Sequence, residues 1–456
     1  IRGWYSIPDV LIKSDKIVKI IPDLQIDIKQ RYVPLDIVFL TLNFSKKGKL
    51  LNNRQIRFYK TLSVLSQLSV NQMTSTYSNV PSQEKAISII LGRSQIRNKE
   101  KIDYQTTIIE YEQSLVDKSL KALEWIYKIN NEKSEKWSLS PPSIPELYPN
   151  MRYCNEDYPW HETKKQIAKN INDITLLWQC GPQQRIIAHQ KGIFDWNSIE
   201  NPISDLSMGE KRGKIIDKMI TINKETDNVL VFPRKLKKRQ NIIQLQQSPL
   251  EFYVDFETLQ EIDEECEDYS NKNVLFMIGC VSRYKINSNQ YHCEYKSFIV
   301  SSLSEIEEKR IIYEWIDYMD HLKNLYKNTT SEPPIFHWSP AEPVIYQSLS
   351  KKWNISLRKL EFIDLLQLFQ NEPIVVKGAF GYSLKEISKA LYRHKCIQTL
   401  WNDNVTNGKD AMIQAWMCYQ PQHAHEKKEI MGHIEYYNYV DCKVMEEIVT
   451  FLRTKL

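Results

Sequence analysis

The chain has 456 residues, 42% hydrophobic and 26% charged, with only 12 glycines. That excludes a disordered, collagen-like or fibrous protein and leaves room for two or three folded domains. A formal net charge of +5 is too small to establish a polyanionic partner, although the run Arg234-Lys235-Leu236-Lys237-Lys238-Arg239 suits phosphate contacts as well as it suits a solvated linker. The eight cysteines show no C-x-x-C pair and no zinc or iron–sulfur spacing. No apolar run reaches membrane-spanning length, and Ile1-Arg2-Gly3-Trp4 carries no signal pattern. A soluble intracellular protein, cytoplasmic or nuclear, with reduced thiols is predicted. A start at Ile rather than Met predicts a fragment or processed product with residues missing upstream.

Residues 1–140 read as mixed strand and helix, with apolar runs at Arg31–Phe44 and Ala86–Leu91 and a helical pattern from Thr107 to Ile129. Proline then forces a break at Ser138–Pro145, because it removes backbone donors and restricts the residue before it. Residues 149–205 read as a helical unit in which the Cys180-Gly181 and Gly192-Ile193 turns separate short helices. Either this is an ordinary helix pair or it is a helix-hairpin-helix unit whose turn amides meet phosphate. Residues 206–247 are charged and weakly periodic, which predicts a linker with a helix in it.

From residue 248 to 456 the pattern sharpens. A strand over Phe252–Glu257 and a hairpin of Val274–Tyr284 with Tyr291–Val300 precede a long helix opened by Ser304-x-x-Glu307. A strand at Ile335–Ser339 then runs into a helix, an apolar run follows at Leu360–Leu366, and a helix from Ile430 to Leu452 ends the chain. Antiparallel strands first and βα alternation afterwards is the order expected of a ribonuclease H-like α/β layer.

In the first strand, alternation puts Tyr253, Asp255 and Glu257 on one face and Phe252, Val254 and Phe256 on the other. Neighbouring carboxylates on one face repel unless solvent or a divalent cation neutralises them. In the last helix, Tyr437, Asp441, Val444, Ile448 and Leu452 trace one otherwise apolar face, so Asp441 points into the core. A buried carboxylate costs several kcal/mol unless it is paired with a cation, which leaves a metal or an Arg or Lys as its partner. Tyr437, one turn earlier, stands where a phenol could orient or deprotonate a water. A third acid, Glu342, follows Phe336-His337-Trp338-Ser339-Pro340-Ala341. It reads equally as the acid of a capping box on Ser339. Acids converging from several elements are what two-cation phosphodiester hydrolysis requires, and an all-oxygen set favours Mg²⁺ or Mn²⁺.

The order D-x-E, an acid after a strand and Y-x-x-x-D in the last helix resembles the tyrosine subtype of the DEDD exonuclease superfamily. More narrowly, Phe252–Thr258, His337–Glu342, Phe362–Leu366, Asn371–Gly381 and Tyr437–Asp441 resemble the YprB-type ribonuclease H-like domain. In that family the domain follows a RecB-like PD-(D/E)xK nuclease of restriction-endonuclease-like α/β fold and a helix-hairpin-helix unit. The resemblance implies a metal-dependent 3′–5′ exonuclease acting on DNA or RNA. It implies two Mg²⁺ or Mn²⁺ ions on Asp255, Glu257, Glu342 and Asp441, with Tyr437 positioning water. Glu342 departs from the usual Asp, and Asp364 could be a supporting acid instead. In the first domain, Pro8-Asp9 matches the family's PD and Asp36-Ile37-Val38 stands where (D/E)-x-K is expected, with Val38 in place of lysine. A degenerate second site at Asp9 and Asp36 is therefore predicted. Two alternatives stay open: a catalytically inactive nucleic-acid-binding protein, and an endonuclease in the first domain using Asp27-Ile28-Lys29, which requires Lys29 rather than Asp36 beside Asp9. Nothing in the sequence sets the oligomeric state.

Overall fold

The computed structural model describes residues 7–21, 32–46, 50–51, 54–75, 87–94, 104–110, 112–132, 137–152, 157, 159–224, 229–259, 274–287, 290–326, 332–401, 408–420 and 426–455. The protein is of mixed α/β class and divides into two compact units, between Trp137 and Ser138. Among the described residues no helix is long and apolar enough to cross a membrane.

In the first unit the chain forms β1 (Val10–Lys13), α1 (Ile17–Ile20), β2 (Tyr32–Leu42), α2 (Arg54–Ser75), β3 (Ile87–Ser94), β4 (Tyr104–Glu110) and α3 (Gln113–Asn131). The strands make one sheet in the order β1-β2-β3-β4, antiparallel except for the parallel β2–β3 pair. Val33, Leu35 and Ile89 pack with Ile12 and Ile17, while Val38, Leu42 and Ile90 pack with Ile56. The helix expected over Thr107–Ile129 begins only at Gln113. Tyr104–Glu110 instead pairs with β3 residue for residue, because its β-branched Thr106, Thr107, Ile108 and Ile109 fit the pleated edge better than a helix.

The second unit opens with α4 (His161–Asn170), α5 (Pro182–Gln190), α6 (Pro202–Asp205), α7 (Glu210–Lys224), β5 (Val231–Phe232) and α8 (Arg239–Gln244). Residues 206–247 are not the linker expected. Ile215, Met219 and Ile222 of α7 enter the main core with Val231 and Leu245, and β5 pairs antiparallel with Val375–Val376. The charged residues of α7 occupy its outer face, so its apolar stripe was diluted in sequence but not lost in space.

Next come β6 (Leu250–Leu259), β7 (Val274–Asn287), β8 (Gln290–Ile299), α9 (Glu305–Leu325), β9 (Ile335–His337), α10 (Ala341–Lys352), β10 (Phe362–Asp364), α11 (Leu365–Asn371), β11 (Val375–Val376), α12 (Leu384–Arg393), α13 (Gly408–Cys418) and α14 (Lys427–Lys455). Five strands form a sheet ordered β10-β9-β6-β7-β8, with β6 antiparallel to β7, β7 antiparallel to β8, and β6, β9 and β10 parallel. One face of β6 buries Phe252, Val254 and Phe256 against a cluster that includes Trp315 of α9 and Ala415 of α13. On the other face, Tyr253 packs with Phe336 in a cluster that includes Leu391 of α12 and Val444 and Ile448 of α14.

Candidate metal centre

The alternation of β6 carries Glu251, Tyr253, Asp255 and Glu257 along one line, and the two ends of that line have opposite fates. Glu251 is fully buried and neutralised: Arg453 Nη2 lies 2.8 Å and Arg283 Nη1 3.2 Å from its carboxylate, and the Tyr253 hydroxyl donates to it at 2.8 Å. Asp255 and Glu257 make no such ion pair among the described residues. They meet Asp441 of α14 instead, and one carboxylate oxygen from each of the three lies within 4.8 Å of the others.

Glu257 and Asp441, 8% and 7% exposed, are buried, and Asp255 is half-buried. Burial, followed by the charges of Asp441 and Glu257, raises the Asp255 carboxyl well above its ordinary range. Asp441 is raised by burial and by Glu257, against the pull of Lys385. Glu257 is pushed up to about 7, chiefly by burial, with hydrogen bonds from Asn438 and Asp255 opposing. Three carboxylates that resist ionising together form a site short of positive charge.

Two residues that complete the site were not singled out in the sequence. Asn438, wholly buried one residue past Tyr437, donates its amide to Asp255 Oδ2 at 2.7 Å and accepts from the Tyr295 hydroxyl at 3.1 Å. Its approach depends on Gly279, which pairs with Asp255 across β6–β7: a Cβ there would collide with Asn438 Oδ1. The second is Lys385 in the first turn of α12. Its ammonium lies 4.6 Å from the Tyr437 ring centre and 5.5 Å from that of Trp401. The signals were legible after the fact: a glycine in a strand marks a close approach, and Asn438 lies three residues before Asp441 on α14.

Tyr437 is buried and lies against Asp441 as a hydrogen-bonding neighbour. Burial and the surrounding carboxylates raise its phenol far above the ordinary value, so it remains a donor. The Trp401 indole N–H, buried and short of a full hydrogen bond, also favours the charged form of Asp441.

Glu342 stands apart. It is buried, and its carboxylate bonds His337 Nδ1 at 3.0 Å, outside the 4.8 Å cluster, although its charge is felt by Asp255 and Glu257. The capping box expected on Ser339 does not form. Ser339 has a φ of 87°, Pro340 is the N-cap of α10 without a side-chain bond, and the amide of Ser339 donates to Asp364 at 3.2 Å. Asp364 is itself the N-cap of α11, accepting from Gln367 N at 3.1 Å.

In the first unit, Val10 pairs with Leu35, which brings Asp9 beside Asp36. Asp9 accepts from Ile37 N at 2.7 Å and Asp36 from the Ser63 hydroxyl at 2.7 Å. Asp27 and Lys29 lie outside the described residues. In the helical segment, the Gly181 amide, which the helix-hairpin-helix alternative would offer to a phosphate, donates to Gln184 Oε1 at 3.0 Å.

No family model, curated protein or solved structure matches this chain. The class that the site defines is a candidate divalent-cation centre in a mixed α/β protein.

Proposed function

We propose that residues 248–456 form a ribonuclease H-like, metal-dependent 3′–5′ exonuclease that hydrolyses phosphodiester bonds of DNA or RNA. The observation that carries the proposal is the convergence of Asp255, Glu257 and Asp441 within 4.8 Å. The sheet supports it. A central first strand, an antiparallel hairpin on one side and two parallel strands on the other is the order of a ribonuclease H-like layer.

The donor set is all carboxylate oxygen, which fits Mg²⁺ or Mn²⁺ and not a thiophilic metal. Asp255, Glu257 and Asp441 would hold the first of two ions, and Glu342 would join only after releasing His337. Bound there, a divalent cation supplies Lewis-acid charge to a phosphoryl oxygen. The chain supplies the rest. Asn438 orients Asp255, and Tyr437, held protonated, orients a water beside Asp441 rather than deprotonating it. The first unit, with Val38 where a lysine is needed and both acids hydrogen-bonded, serves as a scaffold.

The test is degradation of 3′- and 5′-labelled single-stranded DNA and RNA in Mn²⁺. Stepwise shortening from the 3′ end, lost in Asp255→Asn and Asp441→Asn, is expected. Intact substrate that stays bound to every variant favours an inactive nucleic-acid-binding protein, the reading to which the Glu342–His337 bond lends weight. Cleavage that survives both substitutions moves the chemistry to the first unit.

A further inference from the structure

Helix α12 has two unlike faces. Ile387, Ala390 and Leu391 are buried, while Lys385, Lys389 and Arg393 recur every fourth residue and so line one side over about 12 Å. Lys385, at the start of this line, lies against Tyr437 at the carboxylate cluster. At its far end Arg393 Nη2 donates to Gly378 O at 3.0 Å, which holds the guanidinium beside β11. Tyr392, 42% exposed, stands three residues from Lys389.

Asp410 lends its charge to Lys385, but three other acids of this region are turned to backbone amides. Glu386 accepts from Phe380 N at 2.6 Å, and Glu447 accepts from Gln398 N at 2.8 Å and Thr399 N at 3.0 Å. Glu372 accepts from Lys237 N at 2.5 Å and Lys238 N at 3.2 Å, which pins the basic run 234–239 to α11. Lys389 and Lys395 are exposed and have no carboxylate partner among the described residues. Carboxylates spent on backbone amides leave the outward field to the cations.

We propose that the Lys385–Lys389–Arg393 side of α12, with Tyr392 beside it, is the track along which a single-stranded nucleic acid reaches the carboxylate cluster. The lysines contact successive phosphates, Lys385 holds the phosphate nearest the carboxylates, and Tyr392 offers its ring to a base. A spaced basic line with an exposed aromatic is suited to a single strand, whose bases are available to stack, and not to a duplex. The inference rests on the proposed nuclease activity for its purpose but not for its test.

Binding of fluorescent single-stranded 12-mers to the full chain is measured by anisotropy in EDTA across a salt series, so that no hydrolysis occurs. Lys389→Gln is expected to lower the slope of log K against log salt by about 0.7, the loss of one single-strand phosphate contact. Tyr392→Ala is expected to weaken binding about five- to 150-fold with the slope unchanged. Lys285→Gln, about 20 Å along β7 from the Asp255 pairing, is expected to match the unaltered protein. A slope equal in Lys389→Gln and Lys285→Gln overturns the track, as does absence of binding or preference for duplex. Hydrolysis lost in Asp255→Asn, together with an unmoved slope, overturns the track and leaves the nuclease standing. A lowered slope in a protein that hydrolyses nothing does the reverse.

Discussion

Each unit brings acids from separate elements together, but the two gatherings differ in what neutralises them. Asp9 and Asp36 meet across β1–β2, and each has a hydrogen-bond donor of its own, Ile37 N and the Ser63 hydroxyl. Asp36 is raised mainly by burial, with Ser63 opposing and Asp9 adding. Asp255, Glu257 and Asp441 have the amide of Asn438, the Tyr437 hydroxyl and Trp401 indole beside Asp441, and the field of Lys385 among three carboxylates. Proximity of acids is common to both units. The second differs in gathering three carboxylates around few balancing groups, which is why it and not the first is a candidate for a cation.

The comparison can be broken most sharply by removing charge. Asp255→Asn or Asp441→Asn should reduce hydrolysis at least about a thousandfold, some 4 kcal/mol of barrier, in a steady-state assay with Mn²⁺. The pH dependence of stability without cations comes next. Glu257, at about 7 against an ordinary 4.5, holds its proton more tightly folded than unfolded. Its contribution is therefore fully present below about pH 4.5 and is lost as pH rises through about 7, about 3 kcal/mol from this group. Denaturant melts between pH 4.5 and 7.5 should show that fall, and millimolar Mn²⁺ should flatten it. Gly279→Ala should cost about 1–3 kcal/mol of stability by displacing Asn438, read as a lowered denaturation midpoint with weakened hydrolysis. The smallest effect belongs to the first unit. Asp36→Asn should leave hydrolysis unchanged and shift stability by no more than about 1 kcal/mol.

Much of the second unit could be read from its residues. Alternation in β6 gave the shared face of Asp255 and Glu257, and the apolar stripe of α14 pointed Asp441 inward. Asn438 and Lys385 escaped because an amide or an ammonium announces no partner in sequence, and their importance arises only when α14 and α12 approach β6. Residues 206–247 were misread because their partners, β11 and the core around Phe369, lie more than a hundred residues away. Glu342 could not be resolved from sequence, since a capping box and a bond to His337 use the same short segment and differ only in the backbone at Ser339.

The most direct test is calorimetric titration of Mn²⁺ into the unaltered protein, Asp441→Asn and Asp36→Asn at pH 7.5. Binding retained in Asp36→Asn and abolished in Asp441→Asn is the expected result. Equal binding in Asp441→Asn and the unaltered protein, or no binding to either, would contradict a cation centre at Asp255, Glu257 and Asp441.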